Sequence, residues 1–169
     1  MKISVHNVLV GQCSRTLTQL LAILDKGAAY AQTKKFESSV LVNSRIAPDM
    51  LPLNKQVQIA CDMVKNGAAR LSGQEAPKFE DNEQTIDELK ARISKTLDYV
   101  KSIPVNAFEG AEDRDIKIPM RTETMEMKGL AYLLGFVLPN FFFHATMVYA
   151  LLRHNGVDLG KKDFMGPAN

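Results

Sequence analysis

The sequence contains few cysteines and none of the short motifs that mark common catalytic or nucleotide-binding sites. Its two cysteines, Cys13 and Cys61, lie far apart and form no CxxC pair, which excludes a disulfide framework. Each falls within or beside an apolar stripe, and this position predicts a buried, unreactive thiol. A P-loop, a dinucleotide-binding glycine motif and a Ser-His-Asp arrangement are all missing, so the commonest enzyme classes receive no support.

The chain also lacks an excess of charge of either sign. Its 21 Lys and Arg residues nearly balance its 19 Asp and Glu residues, which gives a formal net charge of +2. The two signs interleave between Asp87 and Asp98, as on a solvated helix face. We therefore expect neither nucleic acid nor an anionic membrane as a partner. The N-terminal apolar run is interrupted by His6 and Asn7, unlike a signal peptide, and we expect a cytoplasmic protein.

At 169 residues the chain is long enough for one domain with its own core, and we expect a single domain over residues 1–169. Apolar residues recur at helical spacing in three stretches, from about Ile3 to Thr33, from Pro52 to Ser72 and from Thr85 to Lys101. Thr85 and Glu88 have the spacing of a capping box. A short helix is predicted over residues 38–44, and the tail from about 157 to 169 is expected to be mostly irregular.

Alternation of polar and apolar residues predicts a small β-hairpin before the last helix, formed by residues 115–118 and 124–127. The stretch from Gly129 to Leu152 then carries no Asp, Glu, Lys or Arg. Its 24 residues are enough to cross a bilayer, but three amphipathic helices need a partner to cover their apolar stripes. We therefore predict a buried bundle helix and no membrane span.

Asn140 and His144 form a polar pair one turn apart in this apolar helix. Helical phase places both opposite a narrow polar edge and therefore towards the core. One interpretation is that they bond to each other and to a residue such as Gln56 or Tyr132. The other is a site facing a ligand or metal, since imidazole nitrogen binds zinc or nickel well, although such a site normally needs at least three good donors.

Residues 140–156 resemble the last helix of the DinB/YfiT-like superfamily of four-helix bundles. In that pattern a His is followed four residues later by a second His, then by an apolar run ending in Leu-Leu-Arg and a Gly. His144 matches the second His, and Arg153 and Gly156 stand at the matching distances, whereas Asn140 occupies the place of the first His. Segments elsewhere resemble an uncharacterised bacterial branch, among them residues 45–53, 56–62 and 159–166.

The resemblance implies an all-α, up-down-down-up four-helix bundle with a short extra helix and the β-hairpin insert before the last helix. It also implies a divalent metal such as zinc or nickel, held by three histidines. The third would come from the second helix, yet no His lies between Pro52 and Ser72. Of the expected imidazoles only His144 remains, with Gln56, Asp62 and Asn140 as candidate oxygen ligands. By phase alone Gln56 faces inward and Asp62 is a solvated acid.

The sequence leads to two functional hypotheses. In the first, favoured by the loss of two histidines, the protein is a metal-free bundle whose small polar pocket of Asn140, His144, Gln56 and Asp62 binds a small molecule or a partner. In the second, implied by the resemblance, it is a metal-dependent enzyme of the thiol-dependent transferase or hydrolase type, in which His144 is the metal ligand or general base. A homodimer is a further expectation of the fold.

Overall fold

The computed structural model describes residues 3–119 and 122–167. The fold is mostly helical, with one small antiparallel sheet before the last helices. The elements are α1 (Cys13–Lys34), α2 (Ser39–Val42), α3 (Leu53–Ser72), α4 (Ile86–Ser102), β1 (Asp115–Pro119), β2 (Thr124–Lys128), α5 (Gly129–Tyr132), α6 (Leu138–His154) and α7 (Lys161–Met165). Two π-helical segments, Asn7–Gln12 and Leu133–Val137, lead directly into α1 and α6, and a 3-10 helix covers Val105–Phe108.

Several helix ends are formed by capping residues that can be recognised in the sequence. The Thr85 side chain accepts from the Glu88 backbone N–H while the Glu88 carboxylate accepts from the Thr85 backbone N–H, so the predicted capping box is confirmed. The backbone N–H of Gln84 and that of Thr85 both donate to the Glu88 carboxylate and lower its pKa. α3 ends at Gly73, whose φ of 72° is left-handed. Pro52 is the N-cap of α3, directly before its first residue, Leu53.

The four long helices share one apolar core. α1 packs against α4 and α6, and α3 packs against the same two helices. Buried side chains from all four belong to a single hydrophobic cluster, which includes Leu17, Leu24, Val57, Val64, Ile93, Val100, Phe141 and Val148. α3 and α6 make the most extensive contact, so the uncharged helix lies mainly against α3.

The predicted hairpin is confirmed. β1 and β2 pair antiparallel with Asp115 opposite Lys128 and Lys117 opposite Glu126. Both opposed pairs are ion pairs, at 2.6 Å for Lys128 Nζ to Asp115 Oδ1 and 3.1 Å for Lys117 Nζ to Glu126 Oε1. Ile116 is buried on the other face, so the alternation reflects one solvated face and one packed face.

The uncharged stretch is one continuous helical path, but its geometry changes before Pro139. The π-helical segment Leu133–Val137 precedes this proline, which has no N–H to give to the helix. In α6 the buried stripe is formed by Phe141, Ala145, Val148, Leu151 and Leu152. The i→i+5 bonding of the π-helix changes the phase of the residues before it relative to those after it.

The burial pattern of α6 corrects the predicted orientation of the polar pair. Asn140 and His144 are each one residue before a member of the buried stripe, so they lie on its flank and are half-buried. Helical phase put them at the centre because it was taken from the exposed edge alone, whereas the buried residues of α6 lie to one side of the direction opposite that edge. Thr146 and Arg153 are exposed, as the predicted polar edge requires.

The helix from Gly129 to His154 is long and apolar enough to cross a membrane by length and composition, with a mean hydropathy of 1.4. A core helix of a soluble protein meets the same criterion, and this one packs against α3 and α1. Its position in the fold is therefore that of a bundle helix. The tail, expected to be mostly irregular, contains one short helix, α7, which is attached to α1 by an ion pair of 2.7 Å between Lys26 Nζ and Asp163 Oδ1.

Candidate functional site

A hydrogen bond between α3 and α6 joins two of the residues that the sequence singled out. His144 Nδ1 lies 2.7 Å from Gln56 Oε1. Gln56 is almost fully buried, at 2% exposure, and Leu53 and Val57 around it are completely buried. The carboxamide therefore meets the imidazole on the side of His144 that faces the core.

A second hydrogen bond fixes the direction of the first. Gln56 Nε2 donates to the backbone carbonyl oxygen of Leu51 at 3.1 Å, which leaves Gln56 Oε1 facing the imidazole. A carbonyl oxygen only accepts, so His144 Nδ1 must carry the proton. His144 Nε2 is then the unprotonated nitrogen, with a lone pair that can accept a hydrogen bond or a metal ion.

Burial sets the charge of the imidazole. Desolvation lowers the pKa of His144 below its ordinary value of 6.5, so the ring is neutral at pH 7. The Phe143 ring stands edge-on to it, with centroids 5.1 Å apart. Because Phe143 is an exposed aromatic residue, the pair lies at the edge of the core and close to solvent.

Asn140 does not complete this pair. Its side-chain Nδ2 donates at 2.7 Å to the carbonyl oxygen of Phe136, four residues earlier in the π-helical segment. The amide thus satisfies helix backbone beside the irregular turn. Tyr132, the other suggested partner, accepts at its hydroxyl from Arg70 Nη1 at 2.9 Å. Of the partners considered for His144, only Gln56 is bonded to it.

Asp62 belongs to a different cluster, on the α4 side of α3. Its Oδ1 lies 2.9 Å from Arg92 Nη2 and 2.9 Å from Lys65 Nζ. Arg92, whose side chain is 1% exposed, also pairs through Nη1 with Asp81 Oδ1 at 2.9 Å and with Glu83 Oε1 at 3.1 Å. The hydrogen bonds therefore bring Asp62 to α4 and to the loop before it, and do not bring it to His144.

The Arg92 cluster is the feature that sequence reasoning missed. Interleaved charges suggested a solvated face, yet Arg92 is buried. The available sequence signal was its position three residues after Leu89 and directly before Ile93, two apolar residues of the α4 stripe. The ring of Phe79 also lies beside the cluster, with the guanidinium carbon of Arg92 5.6 Å from its centroid. These contacts attach the loop before α4 to the bundle.

The donors at the candidate site do not fit a resident zinc or nickel ion. His144 Nε2 is the one imidazole nitrogen available there, and Gln56 Oε1 is already occupied by His144. The remaining candidate, the side-chain oxygen of Asn140, is a neutral amide and a weak ligand for these metals. Within residues 3–119 and 122–167, no group of three or more His, Cys, Asp or Glu side chains could hold a metal ion. The two cysteines are buried and unpaired, and burial raises the pKa of each thiol to about 12.

Two cavities lie away from His144. One of about 510 Å³ adjoins the Arg92 cluster and is lined in part by Phe79 and Lys95. The other, of about 750 Å³, lies between the N-terminal segment and the start of the uncharged helix. Neither lining includes His144, Gln56 or Asn140, so the pocket predicted around the polar pair remains a prediction.

The comparisons with known proteins place this arrangement among helical bundles of unknown function. A domain of unknown function, DUF1993, matches residues 5–165, and the chain belongs to this family. Among solved structures, the crystal structure of a DinB family member protein from Shewanella denitrificans has 42% sequence identity and a TM-score of 0.91. The match covers 96% of this chain and 92% of that one. The resemblance to DinB-like bundles is thereby confirmed. A search of curated proteins found no match.

Proposed function

We propose that this protein is a ligand-binding bundle in which His144, held by Gln56, recognises a small molecule without a resident metal. The observation that carries the proposal is the 2.7 Å contact between His144 Nδ1 and Gln56 Oε1. It fixes the imidazole in one tautomer and orientation, with Nε2 as an acceptor. Such a nitrogen favours a ligand that donates an O–H or N–H group.

The composition of the site supports the metal-free version. A buried amide stands on α3 against His144, where the resemblance implies an imidazole from the second helix. An amide oxygen that accepts from Nδ1–H orients the ring but adds no second nitrogen donor. Asn140, bonded to Phe136, serves in this proposal as a neighbour that shapes the site. Asp62 does not contact the ligand in this proposal and contributes only by its ion pairs with Arg92 and Lys65, which help to hold α3 in place.

The alternative hypothesis is an enzyme of the thiol-dependent transferase or hydrolase type, with His144 as general base. One observation favours it. A neutral imidazole whose Nδ1–H bonds to a carbonyl oxygen leaves Nε2 free to take a proton from a substrate thiol or from water. Such a base would act on a bound substrate at the exposed edge beside Phe143.

Metal analysis after purification without a His tag separates the two. We expect no stoichiometric zinc or nickel, and titration of Zn²⁺ into the wild-type protein and His144→Ala to give the same heat. Near-stoichiometric metal that is lost in His144→Ala would overturn the metal-free proposal and favour the enzyme. His154→Ala, which removes an exposed histidine at the end of α6, is the matched control for weak binding at the surface.

The finer architecture, location and assembly belong to the same proposal. We infer the up-down-down-up bundle from the packing of α1 and α3 against both α4 and α6, together with the DinB family neighbour. We also propose a cytoplasmic location, which the two free, buried cysteines support. A homodimer is supported by Phe142 and Phe143, adjacent exposed aromatic residues on α6. Sedimentation of wild type and Phe143→Lys tests it, because a dimer through this edge should dissociate in the variant.

A further inference from the structure

The larger cavity, of about 750 Å³, has the size and lining of a small-molecule site. Its walls come from three parts of the chain: the N-terminal segment, the 3-10 helix with the loop after it, and the start of the uncharged helix. Phe108 and Leu133 form buried wall, while Leu134 is 53% exposed and lies along its open side. We call this cavity the N-terminal groove.

Exposed apolar side chains are concentrated at the groove. Ile3, Val105, Leu130 and Leu134 are all exposed and all line it. Single exposed apolar residues are ordinary on a protein surface, but several around one concave site indicate a binding surface. Burying them against an apolar ligand would contribute roughly in proportion to the area removed from water.

The charge of the lining has one sign. Glu109 and Glu112 are the acidic residues of the groove, and no Lys or Arg of the described chain lines it. Neither carboxylate forms an ion pair with another residue in the part of the chain that the structure describes. Apolar walls with two such carboxylates complement a ligand that has an apolar body and a positive charge.

Irregular helix geometry occurs on both helical sides of the groove. Val8 belongs to the π-helical segment Asn7–Gln12, and Leu133 and Leu134 belong to the segment Leu133–Val137. Insertions of this kind in α-helices are frequent at functional sites. Both segments also contact α3 at Gly67. A Cβ added there would lie 2.9 Å from Val137 and 3.7 Å from Leu9. Both segments therefore pack closely on α3.

We propose that the N-terminal groove binds a small organic cation, with its apolar body against Leu133 and Leu134 and its ammonium group at Glu109 and Glu112. His6, whose ring packs edge-on to Phe108 at 5.3 Å, forms part of the wall near the N-terminal segment. This site is separate from His144 and does not depend on the function proposed there. A concave groove of ligand size with two acids suits a small cation better than the flat apolar face of a second copy.

Isothermal titration calorimetry with three compounds that share one apolar body tests the proposal. The probes are 4-phenylbutylamine, 4-phenylbutan-1-ol and 4-phenylbutanoate, at neutral pH and low salt. We expect the amine to bind about tenfold more tightly than the alcohol, as hydrogen bonds to charged groups allow, and the carboxylate to bind most weakly. Added salt should reduce the preference for the amine, since exposed charges are screened.

Two pairs of variants locate the binding. Glu109→Gln/Glu112→Gln should lower amine affinity to that of the alcohol, whereas Glu75→Gln, at an exposed acid outside the groove, should change nothing. Leu134→Lys places a charge on the wall and should abolish binding of the amine. Val40→Lys, at a similarly exposed apolar residue on α2, is its control. Circular dichroism confirms that each variant is folded.

Several outcomes overturn the proposal. These are equal affinity for the amine and the alcohol, no binding of any probe at a Kd of roughly 1 mM or tighter, or unchanged amine binding in Leu134→Lys. A wild-type dimer that becomes monomeric in Leu134→Lys would assign the groove to a second copy and would also overturn it. A fall of amine affinity to that of the alcohol in the acid variant, with metal content and His144 unaffected, supports the groove independently of the His144 proposal.

Discussion

His144 Nδ1 on α6 lies 2.7 Å from Gln56 Oε1 on α3, and this contact connects two residues that are 88 positions apart in the chain. Gln56 is in turn bonded to the Leu51 carbonyl oxygen, so the imidazole is oriented by the start of α3. The orientation leaves Nε2 unprotonated at neutral pH. A histidine in a largely apolar helix thus becomes a neutral acceptor because of a buried amide on another helix.

Gln56→Glu is expected to raise the pKa of His144, by roughly one to two units, because a carboxylate within hydrogen-bond distance favours the charged imidazolium. NMR titration of the His144 ring protons measures it, with the His6 and His154 signals as internal controls. An unchanged His144 titration would contradict the Gln56 contact.

Stability should fall in mild acid through His144. Its folded-state pKa is depressed, so the unfolded chain takes up the proton first, and stability present above about pH 6.5 is lost as the pH falls through the folded pKa. His144→Gln should therefore lose less stability than wild type between pH 7.5 and pH 5, as measured by urea midpoints. His154→Gln, at an exposed histidine, is the control, and a wild-type loss equal to that of His144→Gln would refute the prediction.

Gly67→Ala should destabilise the fold by about 1 to 3 kcal/mol, because a Cβ there would lie 2.9 Å from Val137 Cγ1. Gly135→Ala is the matched control, since nothing lies within 4 Å of its added Cβ. Urea unfolding measures both, and Gly67→Ala/Val137→Ala should show a smaller loss than the two single changes added together. If the losses of the two single variants simply add up in the double variant, the contact between the new Cβ and Val137 is not the cause of the destabilisation.

Arg92→Met should cost about 3 to 5 kcal/mol, because the carboxylates of Asp62, Asp81 and Glu83 lose their shared buried partner. Hydrogen exchange should also become faster in residues 74–84, the loop that Arg92 attaches to the bundle. Lys90→Met removes the more exposed Lys90–Asp25 pair and should change stability by less than about 1 kcal/mol. Comparable losses in the two variants would argue against a special role for Arg92.

Much of the fold could be predicted because it depends on sequence patterns between residues close together in the chain. The Thr85–Glu88 capping box, the hairpin and the three amphipathic helices each depend on residues close together in sequence. The tail was less predictable, because α7 is held by Lys26 and Arg15 of a distant helix. The exact orientation of His144 was misjudged because the exposed edge of an apolar helix does not show where its neighbours pack, and the buried residues of α6 lie to one side of His144.

The sequence by itself determined the class of fold, the uncharged helix as a bundle member and the inward face of Gln56, since hydrophobic periodicity and capping chemistry are local properties. Only the tertiary structure decided which polar groups meet. Asp62 and Gln56 lie six residues apart on α3, yet one faces Arg92 on α4 and the other faces His144 on α6. The physical reason is that α3 packs against two neighbouring helices through two different faces. The sequence does not say which face meets which helix, because that depends on how the helices pack.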